Sequence, residues 1–309
     1  MSQARLALFS GKSIFLALIL SVLYLLCSYF LVGFKTDQLF LVILFNCCFF
    51  LSVPSRKFIT GFSIFIVYWI LFDYMKAFPN YSFNHVRIGE LYDMEKLLFG
   101  FPYQGNIITP NEFWLQNGLT SLDITTGIFY LCWIPVPLMF AAYLFFTDKA
   151  LFLHFSLGFV LINLLGFMIY YAYPAAPPWY FQLHGTEFIR GTRGNTAGLY
   201  KFDDYFQAGI FRNLYEKSSN VFAAMPSLHS SYPLLVLYYG IKKKLGWMNI
   251  IFLVVTLGIW FAAVYTSHHY IIDVLAGILC AIIGILLFER VLLKIPAFQR
   301  FLARYQAVI

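Results

Sequence analysis

Apolar runs of about 20 residues recur along this chain, which is the length an α-helix needs to cross a hydrocarbon core. In lipid, every backbone N–H and C=O must be satisfied within the protein, and a helix does this inside one segment. Eight segments come near the required length: 13–34, 38–54, 58–78, 124–146, 150–173, 226–241, 249–266 and 270–292, the second and sixth being short. The sequence is 61% hydrophobic and only 11% charged, where a soluble domain carries about a quarter charged residues. The first run follows Arg5 and Lys12. It is too long for a signal-peptide core and has no small-residue cleavage site, so it is expected to be a transmembrane helix. There is no repeat, low-complexity tract or linker. Two longer polar stretches stand out, 80–123 and 174–225. The fold class expected is therefore all-α: a polytopic membrane helical bundle of about eight transmembrane helices.

The net charge of +7 admits nucleic acid or anionic lipid as a partner, and the placement of the charges decides. With the N-terminus on the cytoplasmic side, the inner face holds 12 basic residues, from Arg5, Lys12, Arg56 and Lys57 to Lys149, Lys242–Lys244, Arg290, Lys294, Arg300 and Arg304. Only two acids, Asp148 and Glu289, join them, whereas the outer loops hold 9 basic residues and 10 acids. The excess charge is a positive-inside signal. It argues against nucleic acid, puts both termini in the cytoplasm and leaves both polar stretches outside. Cys27, Cys47, Cys48, Cys132 and Cys280 all lie in apolar stretches without metal-ligand spacing and read as small buried hydrophobes. No metal or cofactor is expected.

Two polar constellations interrupt the apolar pattern at the outer ends of spans. Ala224-Met225-Pro226-Ser227-Leu228-His229-Ser230 opens the sixth. Pro226 suits a first helical turn, where free N–H groups favour an anion and a histidine can pass a proton to a leaving oxygen. A lone histidine in this position is more often an interfacial side chain. The second is Tyr265-Thr266-Ser267-His268-His269-Tyr270-Ile271-Ile272-Asp273. His269 and Asp273 stand four apart, the spacing of one helix face. The carboxylate is expected to accept one imidazole N–H and leave the other ring nitrogen free to attack. An ionisable residue inside a span is costly unless paired or functional. A purely structural His–Asp pair is the competing reading.

At these residues the chain resembles the superfamily of type 2 phosphatidic acid phosphatases and vanadium haloperoxidases. Pro226-Ser227-Leu228-His229 matches its Pro-Ser-x-His motif, and His269 to Asp273 its His-x-x-x-Asp motif. The Lys and Arg-Pro motif of the phosphatases is missing. Tyr173-Pro174-Ala175-Ala176-Pro177-Pro178-Trp179-Tyr180 stands there instead, and Ala262-Ala263 replaces their Ser-Arg pair. Those departures resemble the inositol phosphorylceramide synthase branch. Its Pro-x-x-Pro-Pro-Trp-Tyr stretch is matched by Pro174 to Tyr180, and its Gly-Leu-x-basic-x-Asp element by Gly198 to Asp203. The Leu122-Asp123 pair also fits, and the resemblance covers about residues 120–292.

The resemblance implies a membrane phosphotransferase. It would move phosphoinositol from a phosphatidylinositol-type donor to a ceramide-type acceptor through a phosphohistidine-type intermediate, releasing diacylglycerol. Water as acceptor, a lipid phosphate phosphatase, is the alternative, disfavoured by the missing cations. A lipid transporter would leave the paired histidines unexplained. His229, His269 and Asp273 are the expected catalytic residues. Asp123, Tyr173, Pro178, Trp179, Tyr180, Lys201, Asp203, Ser227 and His268 are the expected substrate-binding residues. Trp179 and Tyr180 suit an interfacial anchor equally well, and Arg190 and Arg193 are further candidates for the missing phosphate cations. Residues 1–119 are expected to form N-terminal transmembrane helices plus an outer interfacial segment, which is either a lid or plain connection. Residues 120–309 are expected to form the catalytic bundle. Its site would face a bacterial periplasm, or a Golgi lumen in a eukaryote.

Overall fold

A computed structural model describes residues 8–216 and 220–309, so Arg5 lies outside the described residues. The chain opens with three apolar helices, α1 (Gly11–Val32), α2 (Thr36–Leu51) and α3 (Val53–Tyr74). Ser10 caps α1 and Ser52 caps α3, each accepting the N–H three residues on. Apolar contact between helices gains little where lipid is the alternative, so polar links matter. Ser28 Oγ meets Tyr74 OH at 3.0 Å, and Asn46 donates to Ser21 Oγ at 2.9 Å. The guanidinium of Arg56 donates to the carbonyls of Leu8 and Phe49.

The first polar stretch folds into α4 (Gly89–Phe99), a hairpin of β1 (Phe101–Tyr103) and β2 (Asn106–Ile108), and α5 (Pro110–Gln116). Then come α6 (Thr120–Leu131), α7 (Pro135–Thr147) and α8 (Lys149–Ala172). The single run expected at 124–146 is broken at 132–134. Pro135 and Pro137 have no N–H for the carbonyls of Leu131 and Trp133, so the helix cannot run through. The second polar stretch carries three helices of seven residues, α9 (Pro178–His184), α10 (Tyr200–Phe206) and α11 (Ile210–Glu216). Last are α12 (Leu228–Lys242), α13 (Met248–Tyr265), α14 (Ile271–Arg290) and the C-terminal α15 (Pro296–Val308).

Helices α7, α8, α12 and α14 share one core, in which Leu144, Phe152, Phe155, Leu235, Val236, Tyr239 and Ala281 are fully buried. Gly277 lets α14 reach the head of α12, since a Cβ there would sit 2.1 Å from the Ser227 carbonyl oxygen. At the far end of the bundle, Lys243 pairs with Asp148 at 2.9 Å and Lys242 with Glu289 at 2.5 Å. The Lys149 ammonium donates to the carbonyl of Ile309 there. Lys149, Lys242 and Lys243, three of the twelve basic residues expected on one side, thus lie at the end opposite His229.

Six stretches among the described residues are long and apolar enough to cross a membrane: 11–32, 53–77, 120–147, 149–172, 248–265 and 271–294. The chain is a polytopic helical membrane protein. The two short segments form helices of 16 and 15 residues. At about 1.5 Å per residue these reach only some 23 Å, short of a core about 30 Å thick. Length and composition therefore support six of the eight expected spans.

Candidate active site

His229 lies in the first turn of α12 and is brought against His269, with Nδ1 of His229 3.0 Å from Nε2 of His269. Pro226 does not sit in that turn as the sequence suggested. The N-cap is Ser227, and Pro226 precedes it with a cis peptide bond. The two motifs are tied through backbone, the Ser227 N–H donating to the Asp273 carbonyl at 2.9 Å. Ser227 is fully buried, and its hydroxyl accepts from Ser230 Oγ.

His269 is not helical either. Helix α14 begins at Ile271 with Tyr270 as N-cap, so the four-residue spacing spans a cap rather than a helix face. Asp273 Oδ2 accepts the Tyr270 N–H at 2.8 Å and lies 3.7 Å from His269 Nδ1. That is too long for a hydrogen bond, so the expected carboxylate–imidazole bond is not formed. The Ala224 carbonyl faces the same ring, but Nδ1 makes no hydrogen bond. Burial pushes the His269 imidazole down to about 4, so the ring is neutral near pH 7. The contact between the two imidazoles holds one proton, and a neutral His269 with its proton on Nδ1 accepts it at Nε2.

His268 is buried beside this pair between the rings of Tyr130 and Tyr215, with Nδ1 3.0 Å from Thr266 Oγ1. Burial, and then the neighbouring His269 and His229, hold it well below the usual histidine range. The last turn of α6 and the break after it supply two groups that the sequence did not reveal, Tyr130 and Trp133. Tyr130 OH lies 3.0 Å from His229 Nδ1, and the Trp133 ring meets the His229 ring edge-on at 4.5 Å. Pro135 and Pro137 were the signal for this break.

The other candidates divide. Pro178 is the first residue of α9, and the Trp179 N–H donates to the Ser267 carbonyl at 3.0 Å. Both Trp179 and Tyr180 are buried against Val86, Ile88, Ala176 and Phe222, so neither serves as an exposed interfacial anchor. The Tyr180 hydroxyl donates to the Glu187 carbonyl and accepts from the Ile189 N–H. Tyr173 is half-buried, with the Arg87 guanidinium 5.6 Å from its ring centre. Gly198 binds the same turn as Trp179, its N–H donating to the Thr266 carbonyl at 2.9 Å. Asp123 accepts from Tyr265 OH at 2.7 Å and lies 3.6 Å from Lys201 Nζ. Asp203 accepts the N–H groups of Phe211 and Arg212, a structural use. Arg193 lines a cavity of about 480 Å³ with Lys76, Tyr81 and Phe222, and neither His229 nor His269 lines it.

The profile of the PAP2 superfamily matches residues 106–287. The chain is 41% identical over 302 residues to the phosphoinositol dihydroceramide synthase of Bacteroides thetaiotaomicron, covering 97% of this chain and 99% of that protein. It is 27% identical to the inositol phosphorylceramide synthase of Candida albicans, over 81% of this chain and 51% of that one. The fission yeast Schizosaccharomyces pombe inositol phosphorylceramide synthase catalytic subunit is also 27% identical, over 81% of this chain and 58% of its own. This chain thus spans little more than half of the fungal relatives. No solved structure matches significantly. With the two motifs meeting at one bundle end and the profile matching more than half the chain, this protein belongs to the PAP2 superfamily, in the branch these synthases represent.

Proposed function

We propose that the protein transfers phosphoinositol from a phosphatidylinositol-type lipid to the hydroxyl of a ceramide-type lipid and releases diacylglycerol. The observation that carries this reading is the end-to-end match to a phosphoinositol dihydroceramide synthase. The paired imidazoles of His229 and His269 supply a chemistry that fits it.

In this reading Nε2 of neutral His269 attacks phosphorus. The P–O bond to diacylglycerol breaks, and the departing oxygen takes a proton from His229 in its imidazolium form, leaving that ring neutral. The ceramide hydroxyl then gives its proton to His229 as its oxygen attacks phosphorus, and the P–N bond breaks. Acid and base roles reverse between the half-reactions. The facing nitrogens lie 3.0 Å apart, so the rings must part to admit a phosphoryl group. A small rotation of His269 would also close the 3.7 Å gap to Asp273, as catalytic hydrogen bonds often tighten only with substrate.

Asp123, Lys201 and Tyr173 remain candidates for lipid headgroup contact, with Arg87 beside Tyr173. Pro178, Trp179, Tyr180, Asp203, Ser227 and His268 are better explained as supports of the loops around the imidazoles. Helices α2 and α12 complete an eight-span topology, with both termini in the cytoplasm and the site on the opposite face. In this reading residues 1–119 form the N-terminal transmembrane helices plus an outer interfacial segment, and residues 120–309 form the catalytic bundle.

The test is to give purified protein phosphatidylinositol labelled in its phosphate, together with ceramide. Label recovered on ceramide supports the transferase. Label recovered only as free inositol phosphate would mean that water is the acceptor.

A further inference from the structure

Two buried side chains from the first polar stretch converge on the backbone around His269. Glu95 on α4 is completely buried. Its Oε1 accepts the Ile271 N–H at 3.0 Å and its Oε2 the Ile272 N–H at 3.2 Å. Asn111 on α5 is equally buried, and its amide donates to the carbonyls of Val264 at 2.8 Å and of His269 at 3.0 Å. The chain is thus gripped at the His269 carbonyl and again two residues later, at the first turn of α14. His269 Nδ1 makes no hydrogen bond, so no side chain fixes the ring from that side. Its aim at His229 depends on where the backbone is held.

A plain helix cap needs only one neutral oxygen, such as that of Ser or Asn. A buried carboxylate costs far more unless its lone pairs are met, and here it also faces the buried acid Asp273. What it supplies in return is two charge-assisted bonds at the positive end of α14.

We propose that Glu95 is a positioning residue for the transfer reaction, acting with Asn111 to hold the backbone on both sides of His269 so that Nε2 faces His229. The assignment rests on the reading of His269 as the attacking group.

Burial raises the Glu95 carboxyl to about 7, the two N–H bonds opposing the rise and Asp273 adding to it. The other titratable groups around this junction are Tyr270 at the head of α14, Tyr92 and Lys96 on α4 and Glu112 on α5. Protonation turns one Glu95 oxygen into a donor facing an N–H and so loosens the grip. Turnover should rise with pH through about 7. His269 itself protonates near 4, so the two effects occupy separate pH ranges.

The test compares kcat and KM for both lipids across pH 5 to 9 in purified wild type, Glu95→Gln, Glu95→Asp and His269→Ala. Glu95→Gln should lower kcat by about 10- to 100-fold, as misplacement of a reacting group does, and leave both KM values near wild type. Its kcat should no longer rise through about pH 7, whereas Glu95→Asp, which keeps the charge, should retain that rise. A Glu95→Gln enzyme with wild-type kcat and the same pH profile overturns the proposal. So does a loss of activity that only tracks loss of folded protein while the profile is unchanged. Should Glu95→Gln not fold, Asn111→Asp, which removes the donors at constant size, carries the same test: lower kcat at unchanged KM supports the clamp, and wild-type kcat overturns it. Full turnover by His269→Ala would instead remove the reading on which the proposal stands, a result distinct from either Glu95 outcome.

Discussion

At the scale of single residues, the site is a neutral imidazole aimed at a second imidazole that a tyrosine also contacts. His229 Nδ1 has Tyr130 OH and His269 Nε2 both at 3.0 Å, so the hydroxyl competes for the nitrogen that must carry the transferred proton. Tyr130→Phe removes one neutral hydrogen bond, worth about 1 kcal/mol. We expect a several-fold change in kcat with the lipid KM values unmoved; a loss as large as that of His229→Ala would give the tyrosine a direct role. His229→Ala and His269→Ala should each lower turnover by roughly 10³-fold or more, measured on protein that remains folded. The sign of the stability effects follows from the same burial. His269 is depressed from its ordinary 6.5 to about 4, so the unfolded chain binds more protons between those values and stability falls as pH drops through them. Glu95 is raised from 4.5 to about 7, so the folded chain binds more protons there and stability falls as pH rises. A thermal midpoint measured from pH 5 to 8 should therefore fall less steeply with rising pH in Glu95→Gln than in wild type.

Elements were legible in the sequence to the extent that their signal was local. Runs such as 150–173 and 270–292 declare themselves by apolar length alone, and both form single helices. The break between α6 and α7 was written in Pro135-Val136-Pro137, yet an apolar run hides it unless the missing N–H groups are followed to their carbonyl partners. The first polar stretch was the least readable part. Glu95 was one acid among several there, and its partners lie 176 and 177 residues away. No periodicity reports such a contact. The His–Asp spacing suggests a helix face but spans a cap, because chain spacing says nothing of where a helix begins. The junction of α12 and α14 gives the test proper to this scale. Gly277 has no room for a Cβ, with backbone at 2.1 Å, and Ser231 Oγ donates to its carbonyl at 2.7 Å. Gly277→Ala should force the helices apart, costing about 1–3 kcal/mol as overpacking does. It should also lower activity by disturbing the Ser227–Asp273 tie. A variant with the wild-type thermal midpoint and turnover would contradict that packing.

For the whole molecule, charge and length describe a bundle with a basic end and a chemical end. The ion pairs of Lys242 and Lys243 mark the first, and the imidazoles mark the second. The eight-span reading requires the loop carrying Phe188 and the turn carrying Leu245 to lie on opposite faces. Single cysteines at those positions, in a background lacking the five native ones, should react with an impermeant thiol reagent from opposite sides of sealed vesicles. Reaction from the same side would remove α12 as a span. If phosphoinositol passes through His269, the enzyme should carry it covalently before ceramide arrives. Purified enzyme is mixed with the phosphoinositol donor without ceramide, quenched, digested and mapped by mass spectrometry. The expected result is an acid-labile phosphoinositol adduct on His269, lost when ceramide is added before the quench. An adduct on another residue, or one that forms unchanged in His269→Ala, would contradict it.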